Sequence, residues 1–264
     1  MSETITADEA ARQGLRAFFH ELQSACAETL RRHAGQATLT QAVLARAFDC
    51  FEGNVALRHD EEPPLACGRG CATCCTLRVA ASAPEVWLVA RFLDAVAPRL
   101  LERGIDLWGQ VAAADALTRG LGEAARVGLR QRCPFIAQGV CVIYPVRPLA
   151  CRGHASHDVR ACVDAAAGRR FDVPQSRMHQ EVRALVQNAM QSALRDAGLA
   201  WGLHELNHAL MIARADPQAE ARWRAGDDPL AAAALPEQPL EALAAAFDQL
   251  RPEPASSDAQ SAAR

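Results

Sequence analysis

The chain of 264 residues contains no lysine, and all 28 of its basic residues are arginine. Mechanisms that need a lysine amine, such as Schiff bases and the phosphate-loop lysine, are excluded. In an alanine-rich chain the bias looks like codon usage. No run of eighteen apolar residues occurs, so no membrane-spanning helix is expected. No Arg-flanked apolar leader opens the chain either, since Met1 to Glu21 carries four acidic residues and alternates polar with apolar; secretion is not expected. Charge of one sign is also lacking. The formal net charge is -3 and the pI about 6.2, which gives no field for a phosphate backbone or an anionic membrane. Neither nucleic acid nor membrane is expected as a partner.

Half of the positions are hydrophobic, enough to bury a core without disulfide staples. The ten cysteines therefore call for another explanation. In a reducing cytoplasm, the expected location, clustered thiols bind metal or do redox chemistry more often than they form structural disulfides.

Helical spacing dominates outside the cysteine blocks. A capping box at Thr6 and Glu9 opens a first amphipathic helix through Leu15, Phe18, Phe19, Leu22 and Cys26. A second starts at Thr38, carries Val43, Leu44, Ala47 and Phe48, and fades before Asp60 to Pro64. Ser82-Ala83-Pro84-Glu85 combines an N-cap, an early-turn proline and a glutamate that reaches back, predicting a helix through Trp87 and Leu93 to Val96. Leu107 to Leu129 reads as helix weakened by Gly120, Gly122 and Gly128. Ser156 is expected to cap a short helix carrying Cys162, and longer helices are expected over Gln175 to Asp196 and Leu199 to Ala213, then a weak one after Pro236. The predicted class is mainly α, a single helical domain with two irregular cysteine-rich loop blocks held by metal. An N-terminal helical pair (1–64) packs on a cysteine core (65–170), C-terminal helices (171–250) complete the domain, and 251–264 reads as a disordered tail.

The first block, Cys67-x3-Cys71-x2-Cys74-Cys75, places four thiols in nine residues; the second is Cys133, Cys141, Cys151 and Cys162. Close spacing lets one loop present several sulfurs to a common centre, as in zinc knuckles and iron-sulfur loops. Adjacent side chains on an extended loop point apart, so Cys74 and Cys75 argue for a multinuclear cluster or two neighbouring metals. Eight thiols satisfy two four-cysteine sites, each drawing on both blocks. Such centres carry net negative charge, and Arg69, Arg78, Arg130, Arg132, Arg147, Arg152 and Arg160 lie within or beside the blocks, as counter-charges or as a solvated surface. Spacing does not choose between zinc and iron. Cys67-x3-Cys71-x2-Cys74 also has the radical SAM spacing, but its surroundings predict helices and not repeated βα units.

These motifs resemble a known family. The first block, the Ala83-Pro84-Glu85 helix start, and Cys133-Pro134-Phe135 through Gly139-x-Cys141-x-Ile143-Tyr144-x2-Arg147-Pro148-x2-Cys151-Arg152 are similar to the YkgJ-type CxxCxxCC family. Its members are described as zinc- or iron-chelating domains. The resemblance covers about Cys67 to Cys162 and implies a zinc or iron centre, with an iron-sulfur cluster among the alternatives. It departs from the family name in having three residues between Cys67 and Cys71. Flagellin lysine methylases carry a similar cluster, but no glycine-rich SAM loop is present here, so methyl transfer is not carried over.

Cys26 and Cys50 fall on apolar helix faces and read as core. His154 and His157 follow Cys151 closely enough to replace a thiol, with a capping or solvated role as the alternative, and Tyr144 is expected to pack against the loop. A competing pattern is His204-Glu205-Leu206-Asn207-His208, an H-E-x-x-H on a predicted helix. There two imidazoles could share a zinc while Glu205 serves as general base; the plainer alternative is an amphipathic helix with Leu203, Leu206, Leu210 and Met211 packed inward. No third ligand carries a signature of its own. The leading expectation is a metal-binding protein of unassigned activity, possible as a redox, sensing or partner-binding module, with a zinc hydrolase as the rival.

Overall fold

A computed structural model describes residues 7–68, 70–169 and 172–251. Among them eleven α-helices account for the mainly α class. Helices α1 (Ala7–Arg32) and α2 (Leu39–Leu57) form the N-terminal pair, and α3 (Ala83–Leu101), α4 (Leu107–Thr118) and α5 (Glu123–Leu129) separate the two cysteine blocks. The second block contributes α6 (Leu149–Gly153) and α7 (Val159–Ala166). The C-terminal part contains α8 (Arg177–Asp196), α9 (Leu206–Ala215), α10 (Ala219–Arg224) and α11 (Leu240–Gln249). Four two-residue strands pair antiparallel: β1 (Ala80–Ala81) with β4 (His204–Glu205), and β2 (Ile136–Ala137) with β3 (Val140–Cys141).

Apolar spacing explains the packing. Phe19, Leu22, Cys26 and Leu30 bury one face of α1, and Val43, Leu44, Ala47 and Phe51 one face of α2; both faces lie against α8. Helix α3 packs on α2, α4 and α9, and the ring of Phe247 from α11 meets Phe19 and Trp201 at centroid distances of 6.2 and 5.7 Å. One hydrophobic cluster runs from Phe19 to Phe247 and draws on all three parts of the expected domain. No helix among the described residues is long and apolar enough to cross a membrane.

Local expectations meet several corrections. Ser82 and Glu85 close the capping box on α3, with Ser82 N and Oγ each donating to Glu85 Oε2 at 2.7 Å. The single helix expected over Leu107 to Leu129 is two, because the chain turns back at Gly120, where φ is +74°. Asp158, not Ser156, caps α7, accepting from Ala161 N at 3.0 Å; the Ser156 hydroxyl instead donates to Pro174 O. The helix expected from Leu199 begins only at Leu206, since Ala80 and Ala81 pair with Glu205 and His204 and hold that segment extended. α10 carries no signal that periodicity alone detected. Thr6 and the tail beyond Arg251 lie outside the described residues.

Candidate functional site

Seven cysteines from both blocks line one cavity of about 340 Å³: Cys67, Cys71, Cys74, Cys75, Cys133, Cys141 and Cys151. Four local devices bring them there. The first block is a turn and not an extended loop, with Cys75 N donating to Ala72 O and Leu77 N to Cys74 O, both at 3.2 Å. The turn corrects the expectation that Cys74 and Cys75 point apart. Both line the cavity, and neighbouring Cys75 together with burial pushes the Cys74 thiol up. Cys133 N donates to Cys75 O at 2.7 Å and so ties the two blocks together.

The second device is the hairpin β2-β3. Its two-residue turn, Gln138-Gly139, has φ of +50° and +81°, the left-handed pair that a tight hairpin of this twist demands. Ile136 and Cys141 pair across it, bringing Cys141 back beside Cys133. The third is α6, whose N-terminus is fixed by Glu85: Leu149 N donates to Glu85 Oε1 at 2.6 Å, two residues before Cys151. The fourth device anchors Cys67, with Ser156 N donating to its sulfur at 3.2 Å and Ala66 N to Ser156 O at 2.9 Å.

Arginines stiffen the rim. Arg152 stacks 4.0 Å over the Phe48 ring, donates to Pro145 O at 3.0 Å and Arg147 O at 2.9 Å, and pairs with Glu52. Arg147 stacks 4.0 Å over Tyr144, the packed ring expected of the only tyrosine. Arg78 is ion-paired with Glu123 and Glu237 at 3.0 and 3.1 Å. Arg69 lies outside the described residues.

Burial dominates the thiol chemistry. Desolvation lifts Cys133 to about 12, with a backbone hydrogen bond at Phe135 opposing it and neighbouring Cys141 adding to it. Burial also raises Cys151, reinforced by Cys133, Cys141 and Cys74, while Arg147 pulls it down. Cys141 and Cys67 are raised for the same first reason. Without a cation these two and Cys133 and Cys151 are protonated at neutral pH, and no acidic side chain is among those lining the cavity. No three His, Cys, Asp or Glu groups among the described residues stand closed up around one point as ligands of an ion.

Cys162 is placed differently from the expected set. It sits partly exposed on α7 and is not among the cavity-lining residues, though it is close enough to add to the upward shift of Cys67. His154 does line the cavity, and burial followed by nearby Arg183 lowers its pKa, favouring the neutral imidazole that metals bind. His157 turns instead to Glu62, at 3.4 Å. The sequence did not single out His179, which lines the cavity from α8 with its Nδ1 2.8 Å from Ser176 Oγ. Its one signal was Ser176 three residues earlier, a helix cap. Cys26, fully buried and raised to about 12 chiefly by desolvation, and half-buried Cys50 belong to the α1-α2 packing, away from the cavity.

The H-E-x-x-H pattern does not lie on one helix. His204 and Glu205 form β4, and Glu205 is the N-cap of α9, accepting from His208 N at 2.8 Å. Glu205 also pairs with Arg126 at 2.8 Å, His208 Nδ1 stands 3.3 Å from Asp115, and His204 Nδ1 lies 3.3 Å from Ala81 O. The two imidazoles thus serve separate neighbours. Burial lowers the His204 pKa from 6.5, so the folded state binds fewer protons there than the unfolded state as the pH falls. Stability present above the unfolded value is therefore lost as the pH drops through 6.5 towards the lower folded value. Urea midpoints are expected to fall between about pH 7 and pH 5, and to fall less in His204→Asn; equal slopes would show that His204 carries none of the effect.

Fold and cavity together define a helical protein with a cysteine-lined chamber under an arginine rim. Comparison with protein-family models, curated proteins and solved structures finds no match to this chain.

Proposed function

We propose that the chamber is a metal centre in which Cys67, Cys71, Cys74, Cys75, Cys133, Cys141 and Cys151 supply the ligands for zinc or iron, the latter as an iron-sulfur cluster. The convergence of seven thiols on one cavity, from segments up to 84 positions apart in the chain, carries this reading. Thiolate sulfur suits zinc and iron-sulfur clusters above hard cations. The residues fit such a group: soft donors, neutral imidazoles at the edge and arginines against a net negative centre. A volume of about 340 Å³ is far above the roughly 10–15 Å³ that admits one water, leaving room for a centre of several atoms. When bound, the metal would supply either a closed structural node or reversible electron transfer. The protein's part is to hold the sulfurs, shield most of them partly from water and offset their charge. The motif resemblance to the CxxCxxCC family points to the same chemistry, and no activity beyond metal binding is assigned.

Anaerobic purification followed by elemental analysis is the test. At least one equivalent of zinc or iron per chain is expected. Acid-labile sulfide with visible charge-transfer absorbance selects a cluster and a colourless protein selects zinc, whereas absence of both metals refutes the proposal.

A further inference from the structure

Arg147 differs from the other arginines around the chamber. Arg78 and Arg152 each have a carboxylate partner, but Arg147 has none within ion-pair distance among the described residues. Its Nε is buried with no hydrogen-bond partner among those residues, its guanidinium carbon stands 4.0 Å from the centroid of the Tyr144 ring, and its backbone carbonyl accepts from Arg152. The residue is half-buried, and its charge is left without an anionic partner among the described residues. It lines the chamber together with Cys74, Cys141 and Cys151, which come from three different segments, and beside Arg152 and His179, with no carboxylate among the lining residues.

We propose that Arg147 is the counter-ion of the thiolate centre, a positioning residue that binds no metal itself and compensates the charge left when metal replaces protons on the sulfurs. The inference rests on the preceding functional reading. The balance is explicit: a divalent ion entering four neutral thiols forms four metal-sulfur bonds, releases four protons to water and leaves the ion with its sulfurs at two minus. The filled chamber is therefore more negative than the protonated one, and a fixed cation favours the filled state. Arginine suits the place because its planar group stacks on the tyrosine ring and stays charged when desolvated.

The experiment uses full-length protein carrying the metal it retains through anaerobic purification. Metal is stripped with EDTA for zinc or bathophenanthroline for iron, and the chelator concentration giving half-loss is read. Arg147→Gln is expected to lower that concentration by about tenfold or more, a typical loss for an outer-shell partner, and Arg147→Lys to recover most of it. Arg147→Met, which keeps the stem over Tyr144, repeats the neutral test should the glutamine variant fail to fold by circular dichroism. Retention equal to wild type in a folded neutral variant overturns the assignment while leaving the metal reading intact. A lysine variant as weak as glutamine also overturns it, because charge would then not be what the residue contributes. Wild-type protein with neither metal fails the functional reading itself, and the inference falls with it.

Discussion

Glu85→Ala is expected to destabilise the protein by about 3 kcal/mol, near 10 °C in thermal midpoint for a chain of this size, although the residue touches no thiol. Glu85 is 1% exposed and accepts from Ser82 N, Ser82 Oγ and Leu149 N. Truncation leaves two backbone N–H groups buried without an acceptor, each costing about 1–3 kcal/mol, and opens a void. Burial pushes the carboxyl pKa up, yet the donors around it hold it in place. Glu85→Gln keeps the shape and one acceptor oxygen, so it should lose less. Thermal melts of the two variants against an exposed control such as Glu102→Ala read the difference; a Glu85→Ala midpoint equal to that of the control would mean the carboxylate does not join α3 to α6.

The second large effect concerns the proposed ligands. Cys151→Ser is expected to lower metal retention by more than about 100-fold, since loss of a ligand exceeds the 10–100-fold loss of an outer-shell partner. Cys151 lies on α6 among the thiols of Cys133, Cys141 and Cys74, whereas Cys162 is not among the cavity-lining residues. Cys162→Ser should therefore cost far less, and Cys26→Ser nothing in metal content. Elemental analysis of the three variants, purified side by side, decides; equal loss at Cys151 and Cys162 would bring Cys162 back as an eighth ligand.

The contrast between Cys151 and Cys162 marks how far the sequence alone could reach. Periodicity and caps were sufficient for α2, α3 and α8, where apolar spacing and Ser82 with Glu85 act within a few residues. Clustering of thiols along the chain picked out the seven cysteines that line the cavity together with Cys162, which does not, and left unseen the long-range ties, Leu149 N to Glu85 and Cys133 N to Cys75 O, that assemble them. What failed was set by distant partners. Leu199 to Glu205 has helical spacing, but antiparallel pairing with Ala80 and Ala81, more than a hundred residues earlier, overrides it. The H-E-x-x-H match lost its single helical face for the same reason, with Glu205 spent on the α9 cap and Arg126. Ser156 was a capping candidate by residue type, but its hydroxyl donates to Pro174 O and Asp158, directly before α7, takes the cap. His179 was invisible because nothing along the chain links α8 to the thiols; only the packed fold brings it there.

The pairing of β1 with β4 also bears on how the protein is made. Ala80 immediately follows the first thiol block, while Glu205, its partner, is synthesised 125 residues later. At roughly 5–20 residues per second, about six to twenty-five seconds of translation separate the two. Through that interval the first four thiols are attached to a strand with nothing to pair with, and the second block has been translated before its supporting helices α8 and α9 exist. Nascent chains thus present the thiols before they present a chamber, so on the proposed reading a complete ligand set exists only once the last third of the polypeptide has been made.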